Sequence, residues 1–119
     1  KEGYLEIFSF IKGVFKRDLS WYSILKTFTY LLPEEMWFKE MALKETGQRK
    51  ILEIKASIGY LENDEAKLNK INSFIEAAKK DSVISKDFEV PDLQDVTKIK
   101  VKDEDMLDLK FSLSLKSGQ

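Results

Sequence analysis

Apolar positions along this chain change period several times, and each change marks an element. Over residues 2–16, Tyr4, Phe8, Ile11 and Phe15 recur at 4-3-4 spacing, with Ile7 and Val14 beside them. That spacing predicts an amphipathic helix. Leu5 and Phe10 fall off the stripe, and Gly13 costs such a helix about 1 kcal/mol relative to Ala. A second stripe follows: Trp21, Ile24, Leu25, Phe28, Leu31 and Leu32. Asp18 or Ser20 can cap this helix, and Pro33 stops it because the residue before proline is driven away from helical geometry.

From Met36 to Lys44 the period drops to two. Trp37, Lys39, Met41 and Leu43 share one face of the predicted strand, and Met36, Phe38, Glu40 and Ala42 the other. Thr46-Gly47-Gln48-Arg49 reads as a turn, with Gly47 free to take positive φ. Ile51 to Ile58 follows as a second strand, with Leu52, Ile54, Ala56 and Ile58 inward and Glu53, Lys55 and Ser57 toward water. The two strands form a hairpin. Asn63 or Asp64 caps a helix over residues 64–80, with an apolar stripe of Leu68, Ile71, Phe74, Ile75 and Ala78. Lys67, Lys70, Glu76, Lys79 and Lys80 are assigned to its polar side.

Val83 to Val90 reads as a third strand ended by Pro91. Residues 91–105 read as a long connection with room for a short strand at 98–102. The last strand is the cleanest: Leu107, Leu109, Phe111, Leu113 and Leu115 alternate with Asp108, Lys110, Ser112, Ser114 and Lys116. Such alternation predicts a sheet with one buried and one wet face. The order after residue 17 is therefore α-β-β-α-β-β, a circular permutation of the ferredoxin-like β-α-β-β-α-β arrangement. The expected fold is α+β, a four-stranded antiparallel sheet with two helices on one face, plus the N-terminal helix. The permutation puts the 36–44 and 83–90 strands at the edges and the 51–58 and 107–115 strands in the centre. The expected organisation is an N-terminal helix over 1–17, a domain over 18–116 and a tail over 117–119.

Composition narrows the chemistry. The 119 residues suit a single domain, 43% are hydrophobic and 34% charged, and the net charge is −1. Lys and Arg nearly balance Asp and Glu, so no bulk field favours nucleic acid or anionic lipid. With no histidine and no cysteine, the chain cannot build a Ser-His-Asp or Cys-His triad, a disulfide or a Cys-based zinc site. The five glycines are isolated, so no phosphate-cradling loop is present. Asp103, Glu104, Asp105 and Asp108 lack the alternating spacing, central Gly and terminal Glu of a calcium loop. No enzymatic activity, cofactor or metal is expected.

The open-face residues of the central strands, Glu53, Lys55, Ser57, Asp108, Lys110, Ser112 and Ser114, hold no aromatic on which an RNA base could stack. The Lys98, Lys100, Lys102 alternation reads as a soluble edge rather than a phosphate tracker. Trp21 is assigned to the core. Trp37 and Phe38 lie on opposite faces of an edge strand, which makes them candidate partner contacts. No run reaches the ~20 apolar residues of a membrane span. Lys1 is not preceded by an initiator Met, which suggests a piece of a longer protein with anchors or partner domains elsewhere.

Trp21-Tyr22-Ser23-Ile24-Leu25, then Leu31-Leu32-Pro33-Glu34-Glu35-Met36-Trp37-Phe38, resembles the PilN family. So do the hairpin end at Ile58-Gly59, the helix with Ile71-Asn72-Ser73-Phe74-Ile75, and the ending Leu109-Lys110-Phe111-Ser112-Leu113-Ser114-Leu115. The resemblance covers roughly residues 18–116, and its motifs are structural. It implies the extracytoplasmic domain of a bitopic inner-membrane assembly protein of a type IV pilus or type II secretion machine. The secretion-system GspL-type domain shares the fold. Residues before 18 would then end a coiled-coil stalk. The implied partners are a PilO-type protein of similar fold, a second copy of the chain, and a PilM-type protein that binds a cytoplasmic tail missing here. The implied place is the periplasmic side of the inner membrane.

The candidate partner-binding residues are Tyr4, Leu5, Phe8, Phe10, Ile11 and Phe15 on the first helix, with Trp37 and Phe38 on the first strand. That first helix either packs on its own domain or forms the end of the stalk and pairs with another chain. The alternative function is a ferredoxin-like domain that senses a small molecule, which would need a concave site with converging polar groups.

Overall fold

The computed structural model describes residues 21–116. The 1–17 helix, with Tyr4, Leu5, Phe8, Phe10, Ile11 and Phe15, lies outside the described residues, as do the caps Asp18 and Ser20. The described elements are α1 (Trp21–Leu31), β1 (Met36–Thr46), β2 (Arg49–Ile58), α2 (Asp64–Lys80), α3 (Ser82–Asp87), β3 (Asp92–Val101) and β4 (Glu104–Ser114). The sheet order is β1-β2-β4-β3 with every neighbour antiparallel. This is the order a circularly permuted ferredoxin-like sheet has, with β2 and β4 central as the alternation predicts.

One face of the sheet carries the core. Leu52, Ile54, Ala56 and Ile58 of β2 and Leu107, Leu109, Phe111 and Leu113 of β4 are buried beside Ile24, Leu25 and Phe28 of α1 and Ile71, Phe74 and Ala78 of α2. An aromatic cluster joins the helices to the sheet: the Phe28 ring lies 6.4 Å from Phe74 and 6.5 Å from Phe111, and Phe74 lies 5.6 Å from Phe111. Such edge and tilted contacts add about 0.5–1.5 kcal/mol per pair beyond simple burial. α1 stops at Leu31, and the Pro33 carbonyl then accepts from the Met36 N–H, turning the chain directly into β1. Trp21 opens α1, and its side chain lies outside the description.

The structure corrects four expectations. The segment 83–90 is not a strand. Asp81 ends α2 and caps α3, its Oδ1 accepting from the N–H groups of Val83 at 2.8 Å and Ile84 at 3.1 Å. Ile84 and Phe88, four residues apart, are both buried, which is helical spacing. The backbone of this segment meets the sheet only at its end, where Phe88 forms an isolated bridge to Leu115 and the Glu89 N–H donates to the Ser114 carbonyl at 2.8 Å. The second edge strand is instead β3, in the segment expected to be mostly connection. A bulge between Leu93 and Asp95 lets Leu93 face Phe111 and Val96 face Leu109 on the core side, which erases the period of two from the sequence.

The third correction concerns β1. A bulge between Phe38 and Glu40 resets its phase. Met36 and Phe38 point to the core opposite Ile58 and Ala56, and beyond the bulge Met41 and Leu43 do so opposite Ile54 and Leu52. Strict alternation had placed Met36 and Met41 on opposite faces. The fourth is on α2: Lys67 is 2% exposed while Leu68 is 40% exposed. The buried stripe is Lys67, Ile71, Phe74 and Ala78. Lys67 lies along the apolar face and reaches Asp64 Oδ1 at 3.5 Å, the arrangement by which a long cationic side chain buries its stem and keeps its charge partnered.

Candidate interaction surfaces

Among the described residues the helices lie on one side only, leaving the other face of the sheet open, and the strand register arranges its side chains in rows. Trp37, Ser57, Asp108 and Thr97 form one row across β1, β2, β4 and β3. Glu40, Lys55, Lys110 and Asp95 form the next, and Ala42, Glu53, Ser112 and Asp92 the next. Both signs of charge lie along these rows, with Glu40 and Asp95 flanking the facing pair Lys55 and Lys110. Lys39 pairs with Asp108 at 3.1 Å, Lys44 with Glu53 at 3.0 Å, Lys55 with Glu40 at 3.7 Å and Lys110 with Glu53 at 3.9 Å. Ser57 is buried and donates its hydroxyl hydrogen to Asp108 Oδ1. Exposed pairs of this kind contribute roughly 0–1 kcal/mol each. Their larger effect is to fix which partner charges this face accepts.

Lys39, Lys55, Lys110, Asp95, Thr97 and Asp108 also line a shallow hollow of about 400 Å³. Its three lysines and two aspartates leave a single net positive charge, with both signs interspersed, so it presents no strong single-sign field. Among the described residues no group of three or more His, Cys, Asp or Glu side chains is placed to hold a metal ion. A second hollow of about 360 Å³, lined in part by Ala78, Ile84, Phe88 and Pro91, sits beside α3. Among the described residues no helix is long and apolar enough to cross a membrane.

The two aromatic candidates on β1 part company. Phe38 turns into the core, its ring 6.5 Å from Phe28 and 6.3 Å from Phe74. Trp37 turns to the open face, where its ring lies 5.9 Å from Tyr60. Tyr60 is 69% exposed and holds a left-handed backbone at φ 59°, a conformation that costs a bulky residue energy and persists only where its surroundings impose it. The fold therefore brings together Trp37 of β1 and Tyr60, just beyond the end of β2, and sets Ile99 and Met106 opposite each other on the same face. Tyr60 was missed because a single aromatic after a glycine has no period; Gly59, whose place would bring a Cβ within 3.2 Å of Met106, was the available signal for close packing there.

Lys98 of the predicted lysine edge lies on the core side opposite Leu107 and reaches Asp64 Oδ2 at 3.3 Å. Asp64 thus holds both Lys67 and Lys98, and ties the start of α2 to the β3 edge. What the surfaces offer chemically is recognition: two strand edges, a charge-patterned face and an aromatic corner. Compared with known proteins, the chain matches no protein-family model, and no curated protein matches it either.

Proposed function

We propose that this chain is a scaffold domain that works by protein–protein pairing in an inner-membrane assembly complex of a type IV pilus or type II secretion machine. The observation that carries the reading is the sheet order β1-β2-β4-β3 built from two successive αββ units. It is the architecture expected of the PilN-like domain that residues 21–38, 71–75 and 109–115 resemble. Two further features support a pairing role. Both sheet edges are long, at 11 residues in β1 and 10 in β3, and edge strands carry the unpaired backbone groups through which sheets recognise other chains. The open face carries an ordered pattern of charge that selects among partners. On this reading the domain acts on the periplasmic side of the membrane, beside a PilO-type partner.

Disruption of the gene in its host tests the reading. Surface pili, or secretion of folded exoproteins, are expected to be lost while the corresponding subunits are still made. Normal assembly and secretion without the chain would overturn it. The partner is tested by native mass spectrometry of the chain mixed with the PilO-type domain of the same genome, where a one-to-one complex is expected.

A further inference from the structure

We propose that the β1 edge pairs with the β1 edge of a second copy, antiparallel about a two-fold axis at Ala42, to make one continuous eight-stranded sheet. Among the described residues β1 ends the sheet on one side, so its outer backbone groups have no strand partner there. Such a row is completed by another strand, and a two-fold axis lets the same strand serve both copies. The axis must pass through a residue. An axis between two residues would set a core-side position against an open-face one and turn one sheet over.

Beyond the bulge the strand is regular from Glu40 to Thr46, and because an axis at Glu45 or Thr46 leaves almost no strand to pair, five centres remain. Centring on Glu40 or on Lys44 sets like charges against each other. Centring on Met41 sets Glu40 against Ala42, and centring on Leu43 sets Ala42 against Lys44. Centring on Ala42 alone sets Glu40 of each copy against Lys44 of the other, twice by symmetry, with the small Ala42 side chains meeting at the axis and Met41 against Leu43 on the core side. Glu40 and Lys44 are 62% and 58% exposed, so both are free to reach across. Each already has an oppositely charged neighbour on β2, Lys55 and Glu53 respectively. Across the joined edge Lys55 faces Glu40 and Glu40 faces the partner's Lys44, which on its own β2 lies opposite Ile51 and reaches Glu53 diagonally. Cross-strand pairs of opposite charge stabilise a sheet and like pairs destabilise it, by about 0.2–1 kcal/mol each.

The inference deepens the pairing element of the proposed function and not the identity of the machine. Its test uses the purified 119-residue chain, so it can fail while the host phenotype stands, and the reverse. Sedimentation equilibrium is run on the parent chain, on Glu40→Lys, on Lys44→Glu, and on an equimolar mixture of the two variants. Each variant turns both attractive contacts repulsive, so its self-association is expected to weaken about tenfold or more. In the mixture every contact is again attractive, and dimers are expected to return to the parent level. Contact at the axis is read separately: the chain has no cysteine, so Ala42→Cys is expected to give a disulfide-linked dimer on mild oxidation, and Thr97→Cys on the opposite edge is not. A monomeric parent, variants that associate as tightly as the parent, a mixture that does not recover, or equal cross-linking at both positions would each overturn the proposal.

Discussion

The two αββ halves of this domain run through the same sequence of shapes but are joined internally by different means. In the first, α1 leads to β1 through a short proline turn, and the β1–β2 hairpin closes on Gly47 at φ 63°. In the second, α2 cannot reach its strand directly. Asp81 breaks the chain, α3 adds a turn and a half against both α1 and α2, and only then does β3 begin. The second hairpin closes on Lys102 and Asp103, both left-handed at φ 50° and 67°, where the two-residue turn favours Asn-Gly. The halves are therefore equivalent in topology and unequal in local fitness. The first is held by residues suited to their backbone, and the second depends more on the shared core.

That core should respond as one unit whichever half is cut. Phe111→Ala is expected to cost about 3–5 kcal/mol, because Phe111 is fully buried and meets rings from both helices. Leu25→Ala in α1 and Ile71→Ala in α2 are expected to cost about 2–5 kcal/mol each. Urea unfolding followed by circular dichroism and by tryptophan fluorescence should give one coincident transition for all three. Separate transitions for the two halves would break the picture of a shared core. A smaller loss sits in the second half only. Asp81→Ala removes both hydrogen bonds that start α3 and is expected to cost about 1 kcal/mol, with amide exchange quickening in residues 82–88 and not in α1.

The two hairpin turns sharpen the contrast with opposite signs. A Cβ at Gly47 meets nothing within 4 Å, so Gly47→Ala carries only the backbone penalty of the left-handed conformation, about 1 kcal/mol of lost stability. Asp103→Gly relieves the same kind of penalty and is expected to raise stability by up to about 1 kcal/mol. Thermal melts of the two variants beside the parent check both directions.

The same inequality explains what the sequence reveals. α1, β2, α2 and β4 are legible because one physical term dominates each. Ile24, Leu25 and Phe28 bury one helical stripe, and Leu107, Leu109, Phe111 and Leu113 bury one face of a strand without interruption. The connection from Asp81 to Val101 is not, because its determinants are not periodic. The α3 cap is a single carboxylate, and Ile84 and Phe88 fit either period over so short a run. In β3 the bulge after Leu93 breaks the alternation, and Lys98 occupies a core-side position that Asp64 makes tolerable. The β1 bulge hides a phase change in the same way, so strict alternation misassigned the faces beyond Phe38. Of the interaction surfaces, the open-face residues of β2 and β4 could be named from alternation, and Trp37 and Phe38 were separable by parity. The Trp37–Tyr60 corner and the charge rows across all four strands depend on tertiary register, which no local pattern encodes.

The central claim is that the two halves are fused through β2 and β4 into one antiparallel sheet, and NMR tests it most directly. Cross-strand contacts between α-protons, measured as nuclear Overhauser effects, are expected at alternate positions along the register that sets Glu53 against Ser112, Ile54 against Phe111, Lys55 against Lys110 and Ala56 against Leu109. Contacts of β4 with β1 instead, a parallel pattern, or no contacts between β2 and β4 would contradict it.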